Sequence, residues 1–251
     1  MQDRPVILMI ETTGPLASVA LTGCGGAGDP AQGILQLVNE THYSHLEEIA
    51  PMVQDILAQA QKEPEDLDAI AVSRGPGSFT GIRIGMATAK AFAQVWQKPI
   101  LCVPTLATFA YVDLADAQTL ICPLFDARRS QVYAGVYAPG DRQPLLSDGA
   151  YDLPDYLEKL APLLEGGKTA LFFGDGSDVF REALESSGLS HAFAPQTAKY
   201  QLASCGAKLA LQLFAEGQLT DVYSAEPEYL RQAEAERRLN AGLLGKKKAQ
   251  L

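Results

Sequence analysis

Ser73-Arg-Gly-Pro-Gly-Ser-Phe-Thr-Gly-Ile-Arg-Ile-Gly85 joins a β-rich run, Asp68-Ala-Ile-Ala-Val72, to a helix expected from about Thr80 to Trp96. Two glycines around a proline allow sharp turns and close backbone approach. Ser78 and Thr80 are natural N-caps for the helix that follows. A glycine loop between strand and helix can hold an anion on free helix amides. No Gly-Lys-Ser/Thr follows, so this is not a Walker loop, and Gly75, Gly77 and Gly81 do not fit a dinucleotide fingerprint. These residues leave a packing turn and a ligand loop equally open.

Working outward, three β-rich runs precede this segment: residues 6–10, 17–21 and 33–38. A helix over 45–60 follows them, opened by a Ser44-x-x-Glu47 capping box and interrupted by Pro51, which should bend it. After the second helix comes a strand at Ile100 to Val103, giving β-β-β-α-β-α-β. The second half repeats the order. Strands at 119–125 and 131–137 and a weaker run near 145–150 precede a helix with Pro154 at its start. A strand at 169–173, a helix at 177–187 and a longer helix from about Lys199 to Glu216 complete it. The pattern predicts an α/β protein of two lobes, each with a mixed sheet in β-β-β-α-β-α order. The lobes are placed at 1–104 and 105–224, with a C-terminal tail at 225–251.

The 251 residues carry 30 acidic and 20 basic groups, a net charge of -10, with 47% hydrophobic residues. That composition excludes a disordered chain, and no apolar run of about 20 residues suggests a membrane span. The opening Met-Gln-Asp-Arg runs straight into a strand-like segment with no leader pattern, so a cytoplasmic protein is expected. The acidity argues against nucleic-acid binding by the chain alone. The charge is uneven, however. Residues 231–251 hold six basic and two acidic groups, leaving 14 basic and 28 acidic in the first 230. The tail is either a solvated end or a docking segment for an acidic partner or RNA.

Cys24, Cys102, Cys122 and Cys205 show no metal or redox spacing and read as reduced thiols. His42 and His45 do not form a same-face helical pair, and His191 falls in a loop without partners in sequence. No nucleophile elbow or cysteine–base arrangement appears. Asp126-Ala-Arg128-Arg129 reads as a charged hairpin turn or as an interdomain or ligand contact. The helix after the glycine loop is apolar on most sides, through Ile82, Ile84, Gly85, Ala89, Phe92 and Trp96. Such a helix is covered on more than one face, either inside the core or against another chain.

Several of these motifs together resemble the TsaB (YeaZ) family. They are Gly75-Pro76-Gly77-Ser78-Phe79-Thr80-Gly81 with Arg83 and Gly85, His45 with Pro51, Asp126 and Arg128 with Val132-Tyr133, and Glu226-Pro227-Glu228-Tyr229-Leu230-Arg231. Phe79 and Arg83 point to this family rather than to its paralogue TsaD. The resemblance implies a two-lobed actin/hexokinase-like (ribonuclease H-like) fold. It also implies a role in threonylcarbamoyladenosine (t6A) formation at position 37 of tRNA.

Glu11-Thr12-Thr13 replaces the family's usual Asp-Thr-Ser at the first strand turn. In related ATPases that turn addresses phosphate, so Thr12 and Thr13 are the candidate phosphate contacts. The catalytic paralogue carries a His-x-x-x-His metal pair whose matching positions here are Thr105 and Phe109, neither able to replace histidine. The resemblance therefore implies a non-catalytic subunit with no catalytic residue, metal or cofactor of its own, a nucleotide being held only at a complex interface. It would bind TsaD directly through the two N-lobe helices, with TsaE as a further partner and TsaC acting upstream, tRNA being met indirectly. Ile49, Val53, Ile56, Gly85, Ala89 and Phe92 are the expected interface, which would make a homodimer in isolation. The rivals are an independent ATP- or metal-dependent enzyme of the same fold, kinase or glycoprotease-like, and a tRNA-binding module using the basic tail.

Overall fold

The computed structural model describes residues 4–24, 33–39, 45–114 and 116–230. Its first half runs β1 (Ile7–Glu11), β2 (Ala17–Leu21), β3 (Leu35–Asn39), α1 (His45–Ala60), β4 (Ala69–Gly75), α2 (Phe79–Trp96) and β5 (Ile100–Pro104). A short helix α3 (Thr105–Thr108) and a 3-10 turn at Phe109–Tyr111 lead into the second half. There follow β6 (Thr119–Asp126), β7 (Gln131–Tyr137), β8 (Pro144–Asp152), α4 (Leu153–Leu160) and β9 (Thr169–Phe173). Then come α5 (Gly176–Val179), α6 (Arg181–Glu185), β10 (His191–Phe193) and α7 (Ala203–Ala215).

Among the described residues each sheet has five strands. The first is ordered β3-β2-β1-β4-β5 and the second β8-β7-β6-β9-β10, so each places its own third, second, first, fourth and fifth strands in the same sequence. In each, the first three strands pair antiparallel and the last three parallel. This is the repeated two-lobed architecture that the element order predicts. The sequence reading missed β10, whose three residues are too few to show alternation, and it assigned His191 to a loop. It also joined α5 and α6 into one helix; they break at Phe180, which caps both. The capping residue expected for α1, Ser44, and the tail from Arg231 onward lie outside the described residues.

The continuous apolar run of β1 is explained by cover on both faces. Leu8 and Ile10 turn toward α1 and α2, packing with Ile49, Val53, Ile56 and Ala89. Ile7 and Met9 turn the other way, into a core shared with α7 and with the second sheet. That shared core takes Ile121, Phe125, Leu171 and Phe173 from the second lobe and Ala203, Ala207 and Ala210 from α7. Helix α7 therefore follows the second lobe in sequence but lies against β1 and β2 of the first. Ala203 N–H donates to Ser18 Oγ at 3.0 Å, fixing its start on β2. The outer face of the second sheet is covered by α4 and α6, with Tyr156 fully buried.

Candidate functional site

The site is built where β1 and β4 end. Glu11 closes β1 as an acidic residue at the end of an apolar strand, and it is buried. Its Oε1 accepts from Thr13 N–H and Thr13 Oγ, both at 2.5 Å, and its Oε2 accepts from the Ser73 hydroxyl on β4. Burial pushes its pKa up, and these hydrogen bonds pull it back down in part. Thr12 Oγ donates to Gly81 O at 2.8 Å, and Ser78 N–H donates to Thr13 O at 2.7 Å. The glycine loop is thereby pressed onto the turn. A Cβ at Gly81 would lie 2.0 Å from Thr12 O, and one at Gly77 2.5 Å from Thr13 O. Ser78 does cap α2, through Gly81 N–H at 3.2 Å. Of the two readings left open by the sequence, close packing accounts for these glycines.

Of the two expected phosphate contacts, Thr12 and Thr13, Thr13 also lines the cleft between the lobes. Both are buried, and both hydroxyls donate within the chain. Thr13 Oγ also accepts from Gln201 Nε2 at 3.1 Å, from the segment that leads into α7.

Between the lobes lies a cleft of about 320 Å³, walled by Thr13, Gly77 and Phe79 on one side and by Asp126, Arg128, Tyr133 and Asp175 on the other. Its second wall repeats the first in a looser form. Asp126 ends β6 as Glu11 ends β1, and its N–H donates to Asp175 Oδ1 at 3.2 Å. Burial raises the Asp175 pKa; the hydrogen bond from Asp126 N–H pulls it back in part, and the Asp126 charge raises it by less. Gly176 presses on the end of β6, its Cβ position 2.7 Å from Leu124 O. The hairpin after Asp126 holds Arg128, Arg129 and Ser130 in consecutive left-handed conformations, φ 64°, 57° and 60°. Such backbone is costly for residues with a side chain. Asp126 accepts from Arg128 N–H at 2.8 Å and pairs with its guanidinium at 3.2 Å. The segment is thus both a charged hairpin turn and a cleft wall.

Glu226 to Leu230 returns from the far end of the chain as a strap across the glycine loop. Glu228 N–H donates to Arg74 O at 2.8 Å, and the Arg74 and Glu228 side chains pair at 2.8 Å. Arg83 Nε donates to the Tyr229 hydroxyl at 3.2 Å, and the Arg83 guanidinium lies 3.9 Å from the centre of the Phe79 ring. Phe79 and Tyr229 are themselves 5.2 Å apart. Two motifs about 150 residues apart in sequence are thus one structural unit. Behind the strap, a second cavity of about 310 Å³ is bounded by Arg74, Arg142, Tyr137 and Asp148. There the Tyr137 hydroxyl donates to Asp148, whose pKa burial raises to about 6.

The positions of the paralogue's metal pair are filled otherwise. Thr105 is buried, its hydroxyl accepting from Gly75 N–H at 3.1 Å. Phe109 is 1% exposed and packs between Phe125 and Phe173, at ring distances of 5.8 and 5.2 Å. Among the described residues no three histidine, cysteine or acidic side chains gather as a metal site. All four cysteines are free, and burial raises every thiol, Cys122 to about 12 and Cys205 to about 11. None is an activated nucleophile. No described helix is long and apolar enough to cross a membrane.

Burial turns five of the six expected interface residues inward and leaves Phe92 partly exposed. Ile49, Val53, Ile56, Gly85 and Ala89 face inward, onto the first sheet or the turn beneath it, and Phe92 is half-buried against Trp96. The apolar stripe of each helix is its core-facing side; the exposed side carries Ala50, Pro51, Gln54, Asp55, Ala58 and Gln59 on α1 and Arg83, Ala87, Ala91, Gln94 and Val95 on α2. Val95 is 76% exposed. Sequence reasoning also missed Glu11 as a clamp, and Gln201, Asp175 and the Tyr137–Asp148 pair; only the acid ending β1 left a signal.

A family model described as TsaD, tRNA N6-adenosine threonylcarbamoyltransferase, matches residues 39–239. The tRNA threonylcarbamoyladenosine biosynthesis protein TsaB of Bacillus subtilis is 34% identical over 205 residues, covering 81% of this chain and 86% of the relative. The Escherichia coli protein of the same name is 30% identical over 239 residues, covering 90% and 94%. A solved Pseudomonas aeruginosa structure, described as an uncharacterized protein with similarity to peptidase YEAZ, aligns with a TM-score of 0.74. It is 27% identical and covers 90% of this chain and all of that one.

Proposed function

Because the chain belongs to the TsaB family, we propose that it is the non-catalytic subunit of the system that forms t6A at position 37 of tRNA. In this reading it binds and orients the TsaD threonylcarbamoyltransferase in the cytoplasm, with TsaE as a further partner and TsaC supplying the activated threonylcarbamoyl group. The observation that carries the non-catalytic role is Phe109. At the position matching a metal-binding histidine, its ring is enclosed by Phe125 and Phe173 in the core between the lobes. Thr12 and Thr13 donate their hydroxyl hydrogens within the chain, which supports a chain that holds no nucleotide by itself. A nucleotide would then be held only where the partners meet.

The partner surface belongs on the outward sides of α1 and α2, at Ala50, Ala58, Ala87, Ala91 and Val95. Small side chains let another helix approach closely, and in the isolated chain the same face would join two copies. Reconstitution tests the role: t6A formation by TsaC, TsaD and TsaE should depend on adding this chain. Full activity without it would sink the proposal. Val95→Glu should abolish co-purification with TsaD while leaving the fold intact; retained binding would move the interface elsewhere.

A further inference from the structure

The cavity of about 310 Å³ behind the strap shares no lining residue with the cleft between the lobes. Its size is at the small end of the range for ligand pockets. Its floor is apolar: Ala107 from α3 and Leu209 and Leu213 from α7, all buried. Its sides carry charge of both signs. Arg74 comes from β4 and Arg142 from the turn before β8, while Asp148 of β8 and Glu228 of the strap bring two carboxylates. The chain itself uses these groups only in part. Arg142 reaches Glu216 Oε2 at 2.7 Å through one terminal nitrogen, Nη2, and no other contact occupies its guanidinium among the described residues. Arg74 Nε lies 2.8 Å from Glu228 Oε2 but off the line of a hydrogen bond, so a buried donor is left unsatisfied. Such a donor is rare in a folded chain and calls for an explanation. Asp148 accepts from the Tyr137 hydroxyl through Oδ1, which leaves Oδ2 for another donor. Arg74 and Asp148 stand near enough for their charges to act on one another.

A carboxylate alone would meet the two arginines but also two acids, and an amine alone would meet the reverse. A molecule that carries both charges satisfies both sets of groups. An apolar floor beneath charged sides adds an aliphatic side chain to that description. We propose that this cavity binds a small aliphatic amino acid as its zwitterion, its carboxylate on Arg74 and Arg142, its ammonium on Asp148, and its side chain on Ala107, Leu209 and Leu213. The proximity of Arg74 to Asp148 suits an ammonium and a carboxylate carried on one carbon. The ligand would touch β4, β8, α7 and the strap at once, and so would join both lobes. This goes beyond the subunit role and does not depend on it.

The test is isothermal titration calorimetry of the full-length chain with L-valine near neutral pH, where Asp148, with its pKa of about 6, carries its charge. L-Valine should bind at millimolar concentration or below. The compound 3-methylbutanoate, which lacks the ammonium, and isobutylamine, which lacks the carboxylate, should each bind roughly tenfold more weakly or worse. Glycine, without an aliphatic side chain, should also bind more weakly. Arg142→Gln should weaken L-valine binding by roughly tenfold. Asp148→Asn keeps an acceptor for Tyr137 and should cancel the preference for L-valine over 3-methylbutanoate. Thermal melts check that both variants fold, and the three analogues read the wild-type chain whether they do or not. The inference is overturned if L-valine does not bind, or if glycine, 3-methylbutanoate or isobutylamine matches it. It also fails if folded Arg142→Gln and Asp148→Asn both bind L-valine like the wild type, which would place the ligand elsewhere. Failure of L-valine to bind a chain on which t6A formation still depends would remove this inference alone and leave the subunit role standing.

Discussion

The two lobes share one strand order and differ in how they close it. In each, the first turn of the helix after the fourth strand presses a glycine against the end of the first strand: Gly81 on Thr12, and Gly176 on Leu124. In the first lobe the junction is sealed by a buried carboxylate, Glu11, which accepts three hydrogen bonds. In the second the equivalent acid, Asp126, is at the cleft, and the turn beyond it is a left-handed run of two arginines and a serine. A shared topology therefore supports two chemistries. The sealed junction gives a rigid wall, and the open one gives a charged, solvent-facing wall.

The largest effect should come from the seam between the lobes. Phe109→Ala removes a buried ring that touches both sheets' shared core and should cost about 3–5 kcal/mol, read as a fall in the denaturation midpoint. A loss below 1 kcal/mol, in order of magnitude, would mean that the lobes are coupled elsewhere. Next, Gly81→Ala should destabilise by about 3 kcal/mol, because the clash at 2.0 Å is with backbone, and Gly176→Ala by less, at 2.7 Å. Equal losses would break the distinction between the two junctions.

Glu11→Ala orphans the Thr13 N–H and the Ser73 hydroxyl in a buried site and should cost about 2–3 kcal/mol. Asp126→Ala loses one backbone hydrogen bond and a pair with an exposed arginine, and should cost about 1 kcal/mol. Glu11→Gln keeps the acceptor for Thr13 and can donate to Ser73, so chemical denaturation should find it far less damaging than the alanine.

The smallest effect is the pH dependence that Asp148 contributes from the second lobe. Asp148 has a folded pKa of about 6 against an ordinary 3.8, so the folded chain holds its proton more tightly than the unfolded one. Its contribution to stability is full below 3.8 and is lost as pH rises to about 6. Asp148→Asn should flatten the stability profile over that window. Tyr137→Phe, which removes the donor that holds the carboxylate charged, should move the loss to higher pH. An unchanged profile in both variants would exclude this pair as its source.

Much of this comparison was legible before any coordinates. The repeated β-β-β-α-β-α order followed from hydrophobic period and turn residues, and the strands 17–21, 131–137 and 169–173 fall where the sequence places them. The site was less legible. Thr12 and Thr13 have the residue types of a phosphate turn, but hydroxyls report their chemistry and not their partners, which here are Gly81 and Glu11. Ile49, Val53 and Ala89 lie on well-marked apolar stripes, yet a stripe shows only that a face is covered. It does not say whether the cover is the chain's own sheet or another protein.

What the sequence determined by itself was local: which segments are strands or helices, where the chain turns, and that a histidine pair is absent at 105 and 109. Periodicity, capping and side-chain chemistry act over a few residues, so they can be read along the chain. Tertiary structure alone decided the rest. It laid α7 across the first sheet, strapped Glu228 and Tyr229 onto Arg74 and Arg83, and chose which side of α1 and α2 faces water. Those outcomes depend on close packing between segments 100 or more residues apart, and neither periodicity nor composition carries that information.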